Sequence, residues 1–451
     1  MMKQIFLALF AVLLLLCTSA LGWEGSLELG AEVRNDRVVL EPGIRAFGSL
    51  SLSHDWMGLV HSFDIRNFSI GEVQPVFNIW KKYLDLYYTP GEGYFWIDTP
   101  DFDAKIGMQL FHEGPANRYP LFLAPNGPPV PSVSWSWQPF DLFRLKTNWI
   151  FYRNAISNFA TGEERQCAKT LYYRSWDWFP FPDLSLGFVE AILFLERSLD
   201  FPYMLSPFPY QMMQEYRSFS APWSEPNNDN GLLGFWVEYS PSSWRLFGEV
   251  LVDDFYVNIF TQDLSKHPQK IAWNMGAEYS WDRHCVQLEF AGATKYTFQR
   301  TSMNIPPYQY VFFEEDPDLP LEYNMIGFLY GENSGVTSFT YSQQATPVHW
   351  SVTGEFVAFG HRDPFTPWHG EPMPEGKGFI WLDDEVLSFQ QSFLGEIHWD
   401  VTPELYLDFC LGICFLQNVA LQKGENKVLP LFQFQVGSVF DLQTLLSKKE
   451  P

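Results

Sequence analysis

Basic residues are scarce in this chain: 29 Lys and Arg stand against 53 Asp and Glu, a formal charge of −24. That balance excludes nucleic acid and anionic membrane surfaces as partners, because nothing compensates the repulsion from phosphate. Cysteine is scarcer still, with five in 451 residues. Cys17 lies in the first apolar run, and Leu16 is too bulky for the residue before a lipidated cysteine. Cys167, Cys285, Cys410 and Cys414 have no zinc spacing. On one strand, Cys410 and Cys414 would stand about 13 Å apart, too far to bridge each other. Half-buried packing is the role expected of these thiols. Long hydrophobic runs are also missing: the only one is residues 5–16. It falls short of the ~20 residues that a membrane-crossing helix needs, so nothing after it crosses as a helix.

That first run has its own meaning. Lys3 precedes it, and Ala20 and Gly22 occupy the −3 and −1 positions before Trp23. A basic start, an apolar middle and small residues at a cleavage point make a Sec signal peptide, removed after residue 22. Residues 23–442 are then expected to form one body, with a short tail at 443–451.

What the chain has in excess is rings: 42 Phe, 21 Tyr and 18 Trp, or 18% of all residues. Mean hydropathy is nevertheless only −0.13. Strands with one lipid face and one wet face fit both values, because transmembrane barrels gather rings in girdles at the two bilayer interfaces.

Alternation with a period of two recurs from end to end. Phe102, Ala104, Ile106, Met108 and Leu110 alternate with Asp103, Lys105, Gly107 and Gln109. Val286, Leu288 and Phe290 alternate with Cys285, Gln287 and Glu289. Leu405, Leu407, Phe409, Leu411, Ile413 and Phe415 form a third row, about 35 Å of strand at 3.3 Å per residue and enough to cross a tilted hydrocarbon core. Further strands are predicted over residues 82–89, 170–176, 184–195, 245–255, 272–281, 324–330, 348–359 and 431–442, among others. The total approaches eighteen, between 16 and 20. The fold class is therefore all-β: a transmembrane antiparallel β-barrel in the outer membrane. A soluble sandwich has shorter strands, and no propeller or solenoid repeat is visible. Residues 114–138, 200–230, 305–320 and 361–384 are read as long connections, of the kind that carries function. The run 435–442 has the form of a closing strand handed to the barrel-insertion machinery.

Several stretches together resemble the Wzi-like capsule-assembly family of outer-membrane barrels. They are Ala104-Lys105-Ile106-Gly107-Met108-Gln109 with Gly114-Pro115, Leu121 and Asn126 after it, and Leu186-Gly187-Phe188-Val189-Glu190. The others are residues 227–235, Ser240-Pro241 with residues 246–255, Glu278-Tyr279 and residues 323–331. The likeness is one of order and spacing across most of the mature chain. It implies an eighteen-stranded barrel that holds surface polysaccharide as a lectin and not as an enzyme. The family's glycan contacts do not map onto positions here.

Candidate binding residues come from two patterns. Arg245, Glu249 and Asp253 fall on one face of a strand at spacings of about 13 Å, either a lumen ladder for ions and sugar hydroxyls or a structural charge row. Tyr203, Tyr210, Tyr216 and Trp223 crowd one long connection, and Trp135 and Trp137 another, as ring faces for sugars or as anchors at the lipid boundary. The carboxylate clusters Glu314-Glu315-Asp316 and Asp383-Asp384-Glu385 lack the spacing of a calcium loop, so calcium is a weak candidate and no other cofactor is indicated. His361, Asp363, Trp368 and His369 form a weak metal signal, and no Gly-x-Ser-x-Gly nucleophile is present. The predicted partners are membrane lipid, surface polysaccharide and the insertion machinery. The predicted function is non-catalytic retention of that polysaccharide, with a porin-type channel with an acidic lumen as the alternative. A filled lumen favours the first and an open one the second.

Overall fold

The computed structural model describes residues 24–35, 43–66, 82–83, 86–158, 163–195, 197–219, 229–253, 268–299, 310–312, 321–362 and 379–441. About two-thirds of them are strand. The first ten are β1 (Glu24–Asn35), β2 (Gly43–His54), β3 (Met57–Arg66), β4 (Lys82–Tyr83), β5 (Leu86–Thr99), β6 (Phe102–Gln109), β7 (Val130–Phe140), β8 (Phe143–Asn158), β9 (Glu163–Phe181) and β10 (Leu184–Leu195). The remainder are β11 (Asn230–Tyr239), β12 (Trp244–Asp253), β13 (Lys270–Trp281), β14 (His284–Ala293), β15 (Ser334–Ala345), β16 (Val348–Phe359), β17 (Ser388–Thr402), β18 (Leu405–Gln417) and β19 (Lys427–Asp441).

Each strand pairs antiparallel with its neighbour in sequence, and β19 closes on β1 from Ser26↔Asp441 to Asn35↔Phe432. β4 is a two-residue ladder on β5 alone, so the closed wall has eighteen strands. Closure removes the free edge, which is what lets a sheet sit in hydrocarbon with every main-chain group paired.

Turns at one end are short. Asp55-Trp56 joins β2 to β3 and Asp282-Arg283 joins β13 to β14, with Asp55 and Asp282 at positive φ, as tight hairpins require. The long connections, 110–129, 196–229, 294–333 and 360–387, leave from the opposite end. In barrels of this kind the long connections face outward and the short turns face the periplasm.

The outer face is apolar. Ile106, Phe235, Met275, Phe393 and Leu411 are exposed on it, Leu411 by 70%. Trp137, Phe140, Trp178, Phe181, Trp244, Trp281 and Trp399 ring the short-turn end. Trp273, with Phe379 at 6.2 Å and Trp381 at 5.1 Å, marks the other. Trp273 and Trp281 share β13 and stand about 26 Å apart along it at 3.3 Å per residue. At the tilt of about 40° usual for barrel strands, that span rises about 20 Å, close to an apolar band about 25 Å tall between two girdles. No helix among the described residues is long and apolar enough to cross a membrane; the strands do it.

Several predicted boundaries move. Of residues 82–89, 82–83 form β4 and 86–89 open β5, which runs on through Pro90-Gly91-Glu92-Gly93 with a register shift between His61 and Phe63 on its partner β3. The predicted 170–176 strand is the middle of the 19-residue β9. Residues 324–330 are not a wall strand. They follow a short helix, Leu321–Asn324, and sit inside the barrel, where Met325 bridges Val311. Cys285, Cys410 and Cys414 are free thiols, the last one buried.

Gly107 in β6 has φ +143°, and a Cβ there would stand 2.7 Å from the Tyr94 Cα on the adjacent strand. Gly107→Val should therefore destabilise the wall by about 1–3 kcal/mol. A lower denaturation midpoint in a heat-modifiability gel is the expected result, with an unchanged midpoint contradicting the close approach.

Candidate functional site

Part of the lumen is filled, on the side of β8–β16. Two connections descend into it, residues 110–129 between β6 and β7 and the described parts of 294–333 between β14 and β15. Ala124 N to Ile326 O, the Tyr310 hydroxyl to Phe122 O and Asn126 Nδ2 to Gly327 O tie them to each other, while Glu113 N to Leu123 O braces the first and Ile326 N to Tyr310 O and Tyr310 N to Phe298 O brace the second. Leu121, Phe298, Tyr310, Phe328 and Tyr330 are fully buried there. Ala191, Ala272, Ala291 and Ala293 face them from the wall. Small inward side chains on β10, β13 and β14 leave the room that the large plug side chains occupy, which is ordinary core packing inside a cylinder.

Polar contacts follow one rule: wall carboxylates accept the plug's main-chain N–H groups. Glu249 accepts from Ala116 N at 3.1 Å and Leu121 N at 3.0 Å. Glu289 accepts from Tyr119 N and Arg118 N, both at 3.0 Å, and from Asn274 Nδ2 at 2.7 Å. Asp253 accepts from Phe298 N at 2.8 Å. Glu355 accepts from the Tyr119 hydroxyl at 3.1 Å and from that of Tyr330. Wall lysines meet the carbonyls: Lys169 Nζ donates to Val311 O and Lys270 Nζ to Gln299 O, each at 2.8 Å. A loop has few internal partners for its main chain, and each buried N–H left unpaired costs about 1–3 kcal/mol. The inward carboxylates supply those partners. Gly114 is required at the entry, because φ is +98° and a Cβ would collide with the Glu249 carboxylate.

Arg245, Glu249 and Asp253 thus share the inward row of β12 that their spacing predicts. Their partners are protein groups: Arg245 donates to Asn117 Oδ1 and Glu238 Oε2, both at 2.7 Å, and to Pro115 O. The aromatic candidates are placed differently. Trp135 and Trp137 belong to β7 and not to a connection. Ser132, Ser134 and Ser136 point inward, while Trp135 packs edge-on against Trp149 and Trp137 stands 47% exposed on the outer face. Tyr203 and Tyr210 are buried in a second small core with Tyr172, Ile192 and Phe194, so their faces are covered. Tyr216 lies on the helix Tyr210–Phe219. Trp223, Glu314-Glu315-Asp316, Asp363, Trp368 and His369 lie outside the described residues. Sequence reasoning missed Glu289 and Glu355 as plug sockets. Their signal is a glutamate on the inward face of an otherwise apolar strand.

Two further features border the plug. Below it, toward the short-turn end, a cavity of about 300 Å³ is lined by His112, Glu113, Arg144, Lys146, Asp177 and Trp236. Its charges are paired, Lys146 with Glu113 at 2.6 Å and Arg144 with Asp177 at 2.7 Å. Above it, Asp384 clasps two connections, its own (360–387) and 294–333, accepting from Asn333 Nδ2 at 2.6 Å and His361 N at 2.9 Å beside Lys295 Nζ at 3.4 Å. Partial burial opposes ionisation of Asp384, but these donors and the Lys295 charge outweigh it and hold the carboxyl below its ordinary range. Its oxygens are taken up by the clasp, and no group of three or more metal-ligating side chains occurs among the described residues.

No protein-family model and no curated protein sequence matches the chain. Solved structures do. The Escherichia coli outer membrane protein Wzi, described as a carbohydrate-binding β-barrel involved in group 1 capsule assembly, aligns with TM-score 0.55 and 10% identity over 94% of this chain and 85% of that one. OccD3 (OpdP) of Pseudomonas aeruginosa aligns with TM-score 0.50 and 9% identity over 93% of this chain and 92% of that one. With a closed eighteen-strand wall, an apolar belt and two girdles, the chain has the fold of an outer-membrane β-barrel, and it is similar in that fold to both of these proteins.

Proposed function

We propose that the protein is a non-conducting, non-catalytic outer-membrane barrel that retains surface polysaccharide at its long-connection end. The observation that carries this reading is the plug inside the barrel: residues 110–129 and the described parts of 294–333 are fastened to carboxylates of β12, β14 and β16. Evolution has no reason to stitch a plug so thoroughly into a pore meant for free diffusion. The same bonds argue against glycosidase chemistry. A hydrolase needs two carboxyl groups facing a sugar about 5–10 Å apart, whereas Glu249, Glu289 and Glu355 face main-chain and hydroxyl donors of the plug. The similarity to a barrel described as carbohydrate-binding supports the choice of ligand class. Membrane lipid around the belt and the insertion machinery acting on β19 complete the partners.

Deleting the gene should release surface polysaccharide into the medium without lowering the total made, measured as cell-bound against soluble glycan. Equal cell-bound glycan in mutant and parent would remove the retention role.

A further inference from the structure

The second small core lies on the wrong side of the wall for an ordinary outer loop. Side chains alternate along β9 and β10. Leu171, Tyr173, Val189, Ala191 and Leu193 belong to the lumen core, so Tyr172, Ile192 and Phe194 between them face outward. Tyr203, Met204, Tyr210 and Met213 cover these three. The described part of the connection after β10, residues 197–219, is therefore folded down over the outside of the barrel.

Beneath it is an ion pair on the lipid-facing side. The Arg174 guanidinium donates to Glu190 Oε1 at 2.7 Å, to Phe208 O at 2.8 Å and to Ser206 O. It lies 4.3 Å from the Trp176 ring centroid and 4.4 Å from that of Tyr210. Glu190 also accepts from Tyr210 N at 2.6 Å. Arg174 is 6% exposed and Glu190 0%, so the segment removes both from the bilayer. Arginine bare on a lipid face costs about 2–4 kcal/mol at mid-depth and about 0–1 kcal/mol near the interface.

Depth follows from the strands. Arg174 precedes the Pro182-Asp183 turn by about eight residues, and Trp273 of the upper girdle precedes the Asp282-Arg283 turn by about nine, at ~3.3 Å each. The segment thus crosses the wall at the level of the outer leaflet. Its own outer surface is apolar: Leu199, Phe201, Leu205, Phe208 and Met212 are exposed, Leu205 by 74%. Residues 201–214 include no Asp, Glu, Lys or Arg in a chain with 53 acidic residues. The charged cluster of Arg197 with Asp200 and Asp229 is self-paired at 2.7 and 2.6 Å.

We propose that residues 199–214 form a strap seated in the outer leaflet, with Leu199, Phe201, Leu205, Phe208 and Met212 among lipid acyl chains. The apolar surface continues the hydrocarbon belt, and interfacial segments of low charge bind through buried apolar area. This inference stands apart from the polysaccharide reading and does not need it.

Site-directed spin labelling in full-length protein tests it. Leu205→Cys and Phe208→Cys are made separately with Cys167, Cys285, Cys410 and Cys414 replaced by serine, and reconstituted in phosphatidylcholine vesicles. Only variants that keep heat-modifiable migration are read, and having two positions guards against loss of one. Labels at 205 and 208 should collide with oxygen severalfold more than with a water-soluble nickel chelate, matching a control at Met275→Cys on the belt and opposite to Asp383→Cys at the rim. A chelate-dominated ratio would place the strap in water and overturn the proposal. Protection from both reagents would mean a protein partner, with dipolar broadening identifying a second copy, and would overturn it equally.

Discussion

Exchanging residues 115–124 for a short glycine–serine linker is expected to convert a closed barrel into a cation-selective channel in planar bilayers. The unmodified protein should give no steady conductance. The removed stretch supplies Tyr119, Leu121 and Phe122 to the lumen core and four main-chain donors to Glu249 and Glu289. Without it, an interior as wide as those of 16- to 18-stranded porins is left lined by carboxylates. Selectivity for cations follows, because Glu249 and Glu289 lose their main-chain donors and Glu355 loses the Tyr119 hydroxyl. The wall itself should survive, since its ladder bonds are untouched, and heat-modifiable migration checks that. Stable large steps from the unmodified protein would instead favour the pore reading. Silence of the variant would mean that residues 294–333 close the lumen unaided.

How far the sequence reveals this arrangement varies by level. The wall is legible because a one-residue slip in a lipid-facing strand inverts every side chain, so period-two alternation is enforced from end to end. The row from Leu405 to Phe415 reads directly as β18. Alternation says nothing, however, about what fills the inside. Residues 324–330 carry Met325, Ile326 and Phe328, whose burial in the lumen imitates a strand's apolar content. Serine misled in the opposite direction: Ser132, Ser134 and Ser136 made β7 look like polar loop, although Trp135 and Trp137 between them keep the same period. Nor does the acidic excess show that Glu249, Asp253, Glu289 and Glu355 serve as sockets for the plug, a pairing that rests on contacts up to more than a hundred residues apart, such as Ala116 with Glu249. The Tyr203 and Tyr210 rings were legible as aromatic but not as covered, because only the fold places β9 and β10 beneath them.

Removing the sockets while leaving the plug sequence intact should loosen the plug without unfolding the wall. In Glu249→Ala/Glu289→Ala, the N–H groups of Ala116, Arg118, Tyr119 and Leu121 lose their acceptors. Each loss costs about 1–3 kcal/mol where water cannot substitute. The four are coupled through one loop, so the sum is smaller than four independent terms but still several kcal/mol. Brief cation-selective openings are expected in single-channel records, together with new protease sensitivity between residues 110 and 129. The melting point of the wall should change little, since none of these bonds belongs to a strand ladder. Glu249→Gln/Glu289→Gln separates charge from acceptor capacity. The amide oxygen still accepts, but a neutral acceptor is roughly half as strong and each amide N–H₂ then faces a donor. Its openings should be intermediate. If the alanine pair is as silent as the parent, the apolar core around Leu121 and Phe328 holds the plug alone, and the carboxylates matter for guiding the loop inward during folding and not for keeping it there.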